Sequence, residues 1–162
     1  MADRQRGQIR TENELPVLGD VQAFSIRKIM TPAEFMGAFA APVLIVPPDP
    51  DPKVINMPLT SFVTVRYGTT QYANGGAPWL QYGDTPAAGG AVKCFQFGPN
   101  IDHTAINAMT ETTLALLFPV LFGVGAAVAA LQEGIYFSNE TGAFTTGDSA
   151  IVVDVFYFKL KL

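Results

Sequence analysis

Fifteen glycines and twelve prolines punctuate the 162 residues and cut most of the chain into short segments. Between the breaks lie runs of β-branched and aromatic residues, the composition of short strands. Residues 43–46 form a compact apolar run. Pro47-Pro48-Asp49-Pro50-Asp51-Pro52 follows as a rigid turn or polyproline segment. Strand character resumes over 53–57. It continues over 59–67, where Leu59, Val63, Val65 and Tyr67 share one face and Thr60, Thr64 and Arg66 the other. Phe62 breaks that alternation and implies that both faces are partly covered. Asn74-Gly75-Gly76 is a turn signal. Further strands are expected over 92–97, 135–138 and 151–162. In the last of these, Phe156, Phe158, Leu160 and Leu162 face one way, so the C-terminus should be a central or paired strand. Short strands broken by Gly/Pro turns predict an all-β sandwich.

One helix is expected. Thr31 can cap, Pro32 suits the first helical position and Glu34 completes a capping box, with Phe35, Met36 and Phe39 as the apolar side. Pro42 closes it, giving a short helix over about 32–40. The first thirty residues differ from the rest. They hold Arg4, Arg6, Arg10, Arg27 and Lys28, and their apolar residues (Ile9, Leu15, Val17, Leu18, Val21, Phe24, Ile26) follow neither period. Residues 1–30 are therefore expected to be an extended arm with a basic tip, and residues 31–162 the sandwich domain.

Composition limits the function classes. Charged residues are 15% of the chain and apolar residues 49%, with a net charge of −4. Soluble domains usually carry roughly a quarter charged residues. A disordered acidic tail, a coiled coil and a basic nucleic-acid binder are excluded. So few charges leave much apolar surface to meet a partner, which points to life in an assembly. A single cysteine, Cys94, excludes a disulfide framework and reads as a small buried hydrophobe. The charged N-terminus has no apolar stretch behind it, so no secretory signal is expected. Residues 114–131 are uncharged and as long as a short membrane span. Pro119, Gly123 and Gly125 interrupt them and no basic cluster flanks them. They read as a buried loop with a short helix, or as a contact surface within an oligomer.

The chemical candidates are weak. His103 is the only histidine and stands in no nucleophile motif, so it reads as a loop residue with local hydrogen bonds. One His and one Cys do not make a zinc site. Asp49 and Asp51 lie in a proline-stiffened turn with no downstream glutamate to complete a calcium loop. Asp148 suits the capping of turn amides. Asn139-Glu140-Thr141 matches a glycosylation sequon that carries no weight without a signal peptide. Neither Gly75-Gly76 nor Gly89-Gly90 is followed by the Lys-Ser/Thr of a phosphate loop. No catalytic residue, metal or cofactor is implied. Tyr67, Tyr72, Trp79 and Tyr82 gather around turns, where they can pack the end of the sandwich or anchor an interface.

One ordered set of residues resembles a known family. It runs Pro42-Val43-Leu44-Ile45-Val46-Pro47, Lys53-Val54-Ile55, Val63-Thr64-Val65-Arg66-Tyr67-Gly68, Tyr72-Ala73 and Leu80-Gln81-Tyr82-Gly83. It closes with Gly134-Ile135-Tyr136-Phe137, Phe144-Thr145-Thr146-Gly147-Asp148 and Val152-Val153-Asp154-Val155-Phe156-Tyr157. These pieces, within 42–85 and 133–158, resemble small β-rich structural proteins of tailed bacteriophages that decorate or cement the capsid. The long basic-tipped arm and the 114–131 run depart from that pattern. The resemblance implies a jelly-roll-like β-sandwich and no catalytic residues. It implies a virion component, made in the host cytoplasm, that binds the major capsid protein and itself, a trimer being one form. The expected contact residues are Arg4, Arg6, Ile9, Arg10, Leu15, Val17 and Leu18 on the arm and Tyr72, Trp79 and Tyr82 on the body. The alternative is a tail or head-fibre module that recognises a carbohydrate or host surface through the loops over 72–82. A membrane span at 114–131 and an enzyme rank behind these.

Overall fold

A computed structural model describes residues 23–90, 92–98, 101–119 and 130–161. Strands β1 (Ala23–Met30), β10 (Ala150–Lys161), β3 (Val54–Arg66) and β7 (Thr113–Leu117) form one antiparallel sheet, sheet A, in that order. Strands β2 (Val43–Val46), β8 (Ile135–Asn139), β5 (Pro78–Tyr82) and β6 (Val92–Gln96) form the second, sheet B. A two-stranded ribbon of β4 (Ala73–Asn74) and β9 (Phe144–Thr145) sits beside them.

The pairing has a simple logic. Among the eight strands of the two main sheets, the first pairs with the last, the second with the seventh, the third with the sixth and the fourth with the fifth. That is one long antiparallel hairpin. Rolling it up adds the contacts β10–β3 and β8–β5 and gives a jelly roll. The all-β sandwich expected from the Gly/Pro punctuation is what forms.

The core lies between the sheets. Ile55, Val63, Val65, Ile151, Val153 and Val155 supply it from sheet A; Leu80, Tyr82, Phe95, Ile135 and Phe137 supply it from sheet B. Helix α1 (Pro32–Gly37) starts with the capping box read from the sequence: Thr31 Oγ accepts the Glu34 amide and Glu34 accepts the Thr31 amide. It drops Phe35 into one end of the sandwich, against Tyr72, Phe137 and Phe144. Cys94 is fully buried, as its apolar neighbours predicted, and burial raises its thiol pKa.

Several expectations need correction. The sandwich starts before residue 31. Residues 23–30, assigned to the arm, are strand β1, paired along their whole length with β10. A second short helix, α2 (His103–Ala108), forms where a loop was expected; Asp102 caps it by accepting the Ala105 amide at 2.8 Å. Segments 53–57 and 59–67 are one strand. Pro58 does not break β3 because a bulge against β10 falls there, and β7 pairs only with Ser61–Val65. The bulge also turns Leu59 outward, away from the face it was expected to share with Val63. In β10 the row that faces the core is Ile151, Val153 and Val155; Val152 on the other face is buried too, while Phe156 stands on that outer face beside Phe62. The strand is central, as expected. The uncharged run begins as strand β7 rather than as a loop or helix, and its residues 120–129 lie outside the described ones. Among the described residues, no helix is long and apolar enough to cross a membrane.

Candidate interaction surface

The two sheets treat their outer faces differently. On sheet B the outer face carries polar groups that hold loops over it. Gln81 is fully buried; it donates to the carbonyls of Gly83 and Thr85 and accepts the Gly90 amide, all within 3.0 Å. Ser138 is buried too, donating to Ala38 O and accepting from the Ala88 amide. Loop 83–90 therefore closes over this sheet.

Sheet A exposes large apolar side chains on its outer face, around a buried Val152. Its register sets Ile29, Val152, Thr64 and Leu114 in one row across the four strands. Arg27, Asp154, Phe62 and Leu116 make the next row. Ser25, Phe156 and Thr60 make a third. Leu114 is 64% exposed and Phe118, just past β7, is 72% exposed. Ile29, Phe62 and Leu116 are exposed as well. Phe62 meets Phe156 edge-on with ring centres 5.9 Å apart. Among the described residues the face bears one ion pair, in which the Arg27 guanidinium forks onto the Asp154 carboxylate at 2.6 and 2.9 Å. That hydrogen bond, and the charge behind it, raise the Arg27 pKa. A shallow groove runs between Arg27, Thr64, Leu114 and Phe156. Exposed apolar side chains around one fixed charge pair are a composition that protein contacts use.

The expected contact residues fall elsewhere. Tyr72 and Tyr82 are core residues: each is buried, and their hydroxyls donate to Ser149 O and Asn56 O. Neither ring is presented at the surface of the single chain. Trp79 is half-buried with the Lys93 ammonium 4.5 Å from the ring centre, and Lys93 is also paired with Glu140. The three rings make no exposed stacking platform of the kind a carbohydrate module needs. Arg4, Arg6, Ile9, Arg10, Leu15, Val17 and Leu18 lie outside the described residues. The outer row of sheet A was missed, although Phe62 signalled it by breaking the alternation in β3.

The titratable candidates have structural roles. Asp49 and Asp51 cap their own turn amides and pair with Lys159 and Lys161 at 2.6 and 2.7 Å, clasping the proline turn to β10. Asp148 accepts from the Thr69 hydroxyl and from the amides of Thr69 and Thr70, and these bonds lower its pKa. His103 opens α2, exposed. Asn139 is buried and donates to Gly142 O, which removes the sequon from the surface. Among the described residues, no three His, Cys, Asp or Glu side chains come together as a metal site.

No family model and no curated protein matches the chain. Among solved structures, it is similar to a chain of the capsid asymmetric unit of cyanophage Pam1. The TM-score is 0.44 at 15% identity, over 96% of this chain and 99% of that one.

Proposed function

We propose that this chain is a structural virion protein of a tailed phage, which decorates and cements the capsid by non-covalent contacts with the major capsid protein. The observation that carries the reading is the cluster of exposed large apolar side chains on the outer face of sheet A. Ile29, Phe62, Leu114 and Leu116 are exposed there among polar neighbours (Ser25, Arg27, Thr60, Thr64, Asp154), the mixture that a protein contact covers. The ordered set of motifs that resembles phage decoration proteins supports the same reading. In this mechanism each copy buries the sheet A face, and the basic-tipped first residues, against capsid subunits. A standard interface removes roughly 800 Å² per partner from water. Repetition over a symmetric shell multiplies each contact through avidity.

The test is mass spectrometry of purified particles with quantitation of copy number. A decoration protein is present in hundreds of copies. Absence from the particle overturns the reading, and a handful of copies replaces it with a tail module.

A further inference from the structure

We propose that strand β7 is a pairing edge for a second copy of this chain, with two β7 strands antiparallel about a two-fold axis at Ala115. This goes beyond the capsid reading and does not depend on it.

The two sheets have four edge strands, β1, β7, β2 and β6. Open edges are blunted in stable proteins by charge, proline, bulges or shortness. Three of the four are blunted here. Strand β1 carries Arg27 and Lys28. Strand β2 is four residues long, lies between Pro42 and Pro47, and slips register between Leu44 and Val46. Strand β6 carries Lys93 and pairs across a register slip at Leu80/Gln81. Strand β7, Thr-Leu-Ala-Leu-Leu, has no charge and no proline, and its ladder with β3 is unbroken. Among the described residues, no strand pairs with its other side.

The sequence of β7 points to its own copy as the occupant. Antiparallel pairing about Ala115 sets Leu114 of one strand opposite Leu116 of the other, twice, on the outer face. Both leucines are exposed in the single chain, Leu114 beside Thr64 and Leu116 beside Phe62. The pairing joins two such faces into one continuous eight-stranded sheet. Charge does not oppose it. Each chain carries −4, but the nearest acid, Glu111, meets Pro119 of the other copy and not its own counterpart. Thr112 meets Phe118, which takes that exposed ring out of water. An isologous contact of this kind closes on itself and stops at two.

Sedimentation velocity on the full chain tests the pairing. The wild type should sediment as two chains across micromolar concentrations. Leu116→Lys places two ammonium groups in the seam and should halve the mass, with the far-ultraviolet circular dichroism unchanged. Cysteine cross-linking gives an independent readout. Residues directly opposed in an antiparallel pair have Cα atoms about 4.5–5.5 Å apart, within disulfide reach. Ala115→Cys should give a covalent dimer on mild oxidation, and Thr113→Cys, which faces Leu117, should not. Cys94 is buried and supplies no competing link. A wild type that is a single chain, an oligomer untouched by Leu116→Lys, or equal cross-linking at 113 and 115 overturns the proposal. If Leu116→Lys does not fold, the cysteine pair decides alone.

Discussion

Gln81 is the least expected side chain in sheet B, a polar residue with no exposure in a central strand. Its amide joins three backbone groups of loop 83–90, so its burial comes with its hydrogen bonds made. Gln81→Leu is nearly isosteric and more apolar, yet it orphans the Gly90 amide and the Gly83 and Thr85 carbonyls. An unsatisfied buried group costs about 1–3 kcal/mol, and the apolar gain does not repay it. The variant should unfold at lower urea with an unchanged m-value; equal or greater stability contradicts the role given to Gln81. The charged residues follow a different logic, set by pH. Hydrogen bonds from Lys159, Lys161, Thr69 and Lys28 lower the pKa values of Asp49, Asp51, Asp148 and Glu34 respectively. Each contributes fully above the unfolded carboxyl value, roughly pH 4, and the contribution is lost as pH falls through the lower folded value. Lys159 and Lys161 are raised by the same pairs, so their contribution is complete below roughly pH 10.4 and lost above it. The Tm should therefore be flat between these limits and fall on both sides. Asp49→Asn with Asp51→Asn should shrink the acid limb, and high salt should shrink the part that comes from the exposed Lys161–Asp51 pair. A Tm that holds steady from pH 6 down to pH 2 rules this out.

Elements whose signals are local were legible in the sequence. Helix α1 announces itself through Thr31, Pro32 and Glu34 within four residues, and β2, β6, β8 and β10 are apolar runs bounded by turn formers. The elements that were missed take their form from tertiary contacts. Strand β1 hides because Lys28 stands in its inward row, where it is tolerated at a sheet edge by pairing with Glu34 at 2.7 Å. Strand β7 hides inside an uncharged run, whose length suggests a buried loop or a span before it suggests an edge strand. Helix α2 has the Asp102 cap as its chief local mark. Pro58 splits β3 on paper because a bulge cannot be read from one strand alone. The turn after β4 was legible, but its tightness was not. A Cβ on Gly76 would sit 1.5 Å from the Glu140 carbonyl oxygen, a backbone atom of the turn that follows β8. Gly76→Ala must push the two turns apart. Overpacking of this kind costs about 1–3 kcal/mol, which for a chain of this size lowers the Tm by roughly 2–12 °C. Gly142, with open space around its Cα, is the control: Gly142→Ala meets nothing within 4 Å and should leave the Tm nearly unchanged. Equal effects at 76 and 142 would show that the turn contact is not what demands glycine.

At the scale of the whole molecule the low charge content is resolved into a direction. Composition says that apolar surface is left over. The register of sheet A says where, because β-pleating carries Ile29, Phe62, Leu114, Leu116 and Phe156 to one side. Tyrosines near turns fill a sandwich end as readily as they anchor an interface, and in this fold Tyr72 and Tyr82 fill it. If the sheet A face supplies most of the capsid contact, binding is driven chiefly by removal of apolar area, and the arginines of the first residues add only a minor salt-sensitive part. Purified protein added to capsids that lack it should then bind with an affinity that changes by less than about threefold between low and moderate salt, since screening acts on exposed charges. Ile29→Lys is the informative variant. It lies on β1, at the opposite edge of the sheet from β7, so it leaves any pairing of two copies alone. Burial of one such side chain contributes about 1.5–3 kcal/mol, so its loss should weaken capsid binding roughly ten- to hundredfold. The opposite pattern has a definite meaning. A steep loss of binding with salt, and Ile29→Lys as tight as the wild type, would move the contact from the sheet to the arginines Arg4, Arg6 and Arg10, because ion pairs to an acidic shell weaken with screening and are indifferent to Ile29.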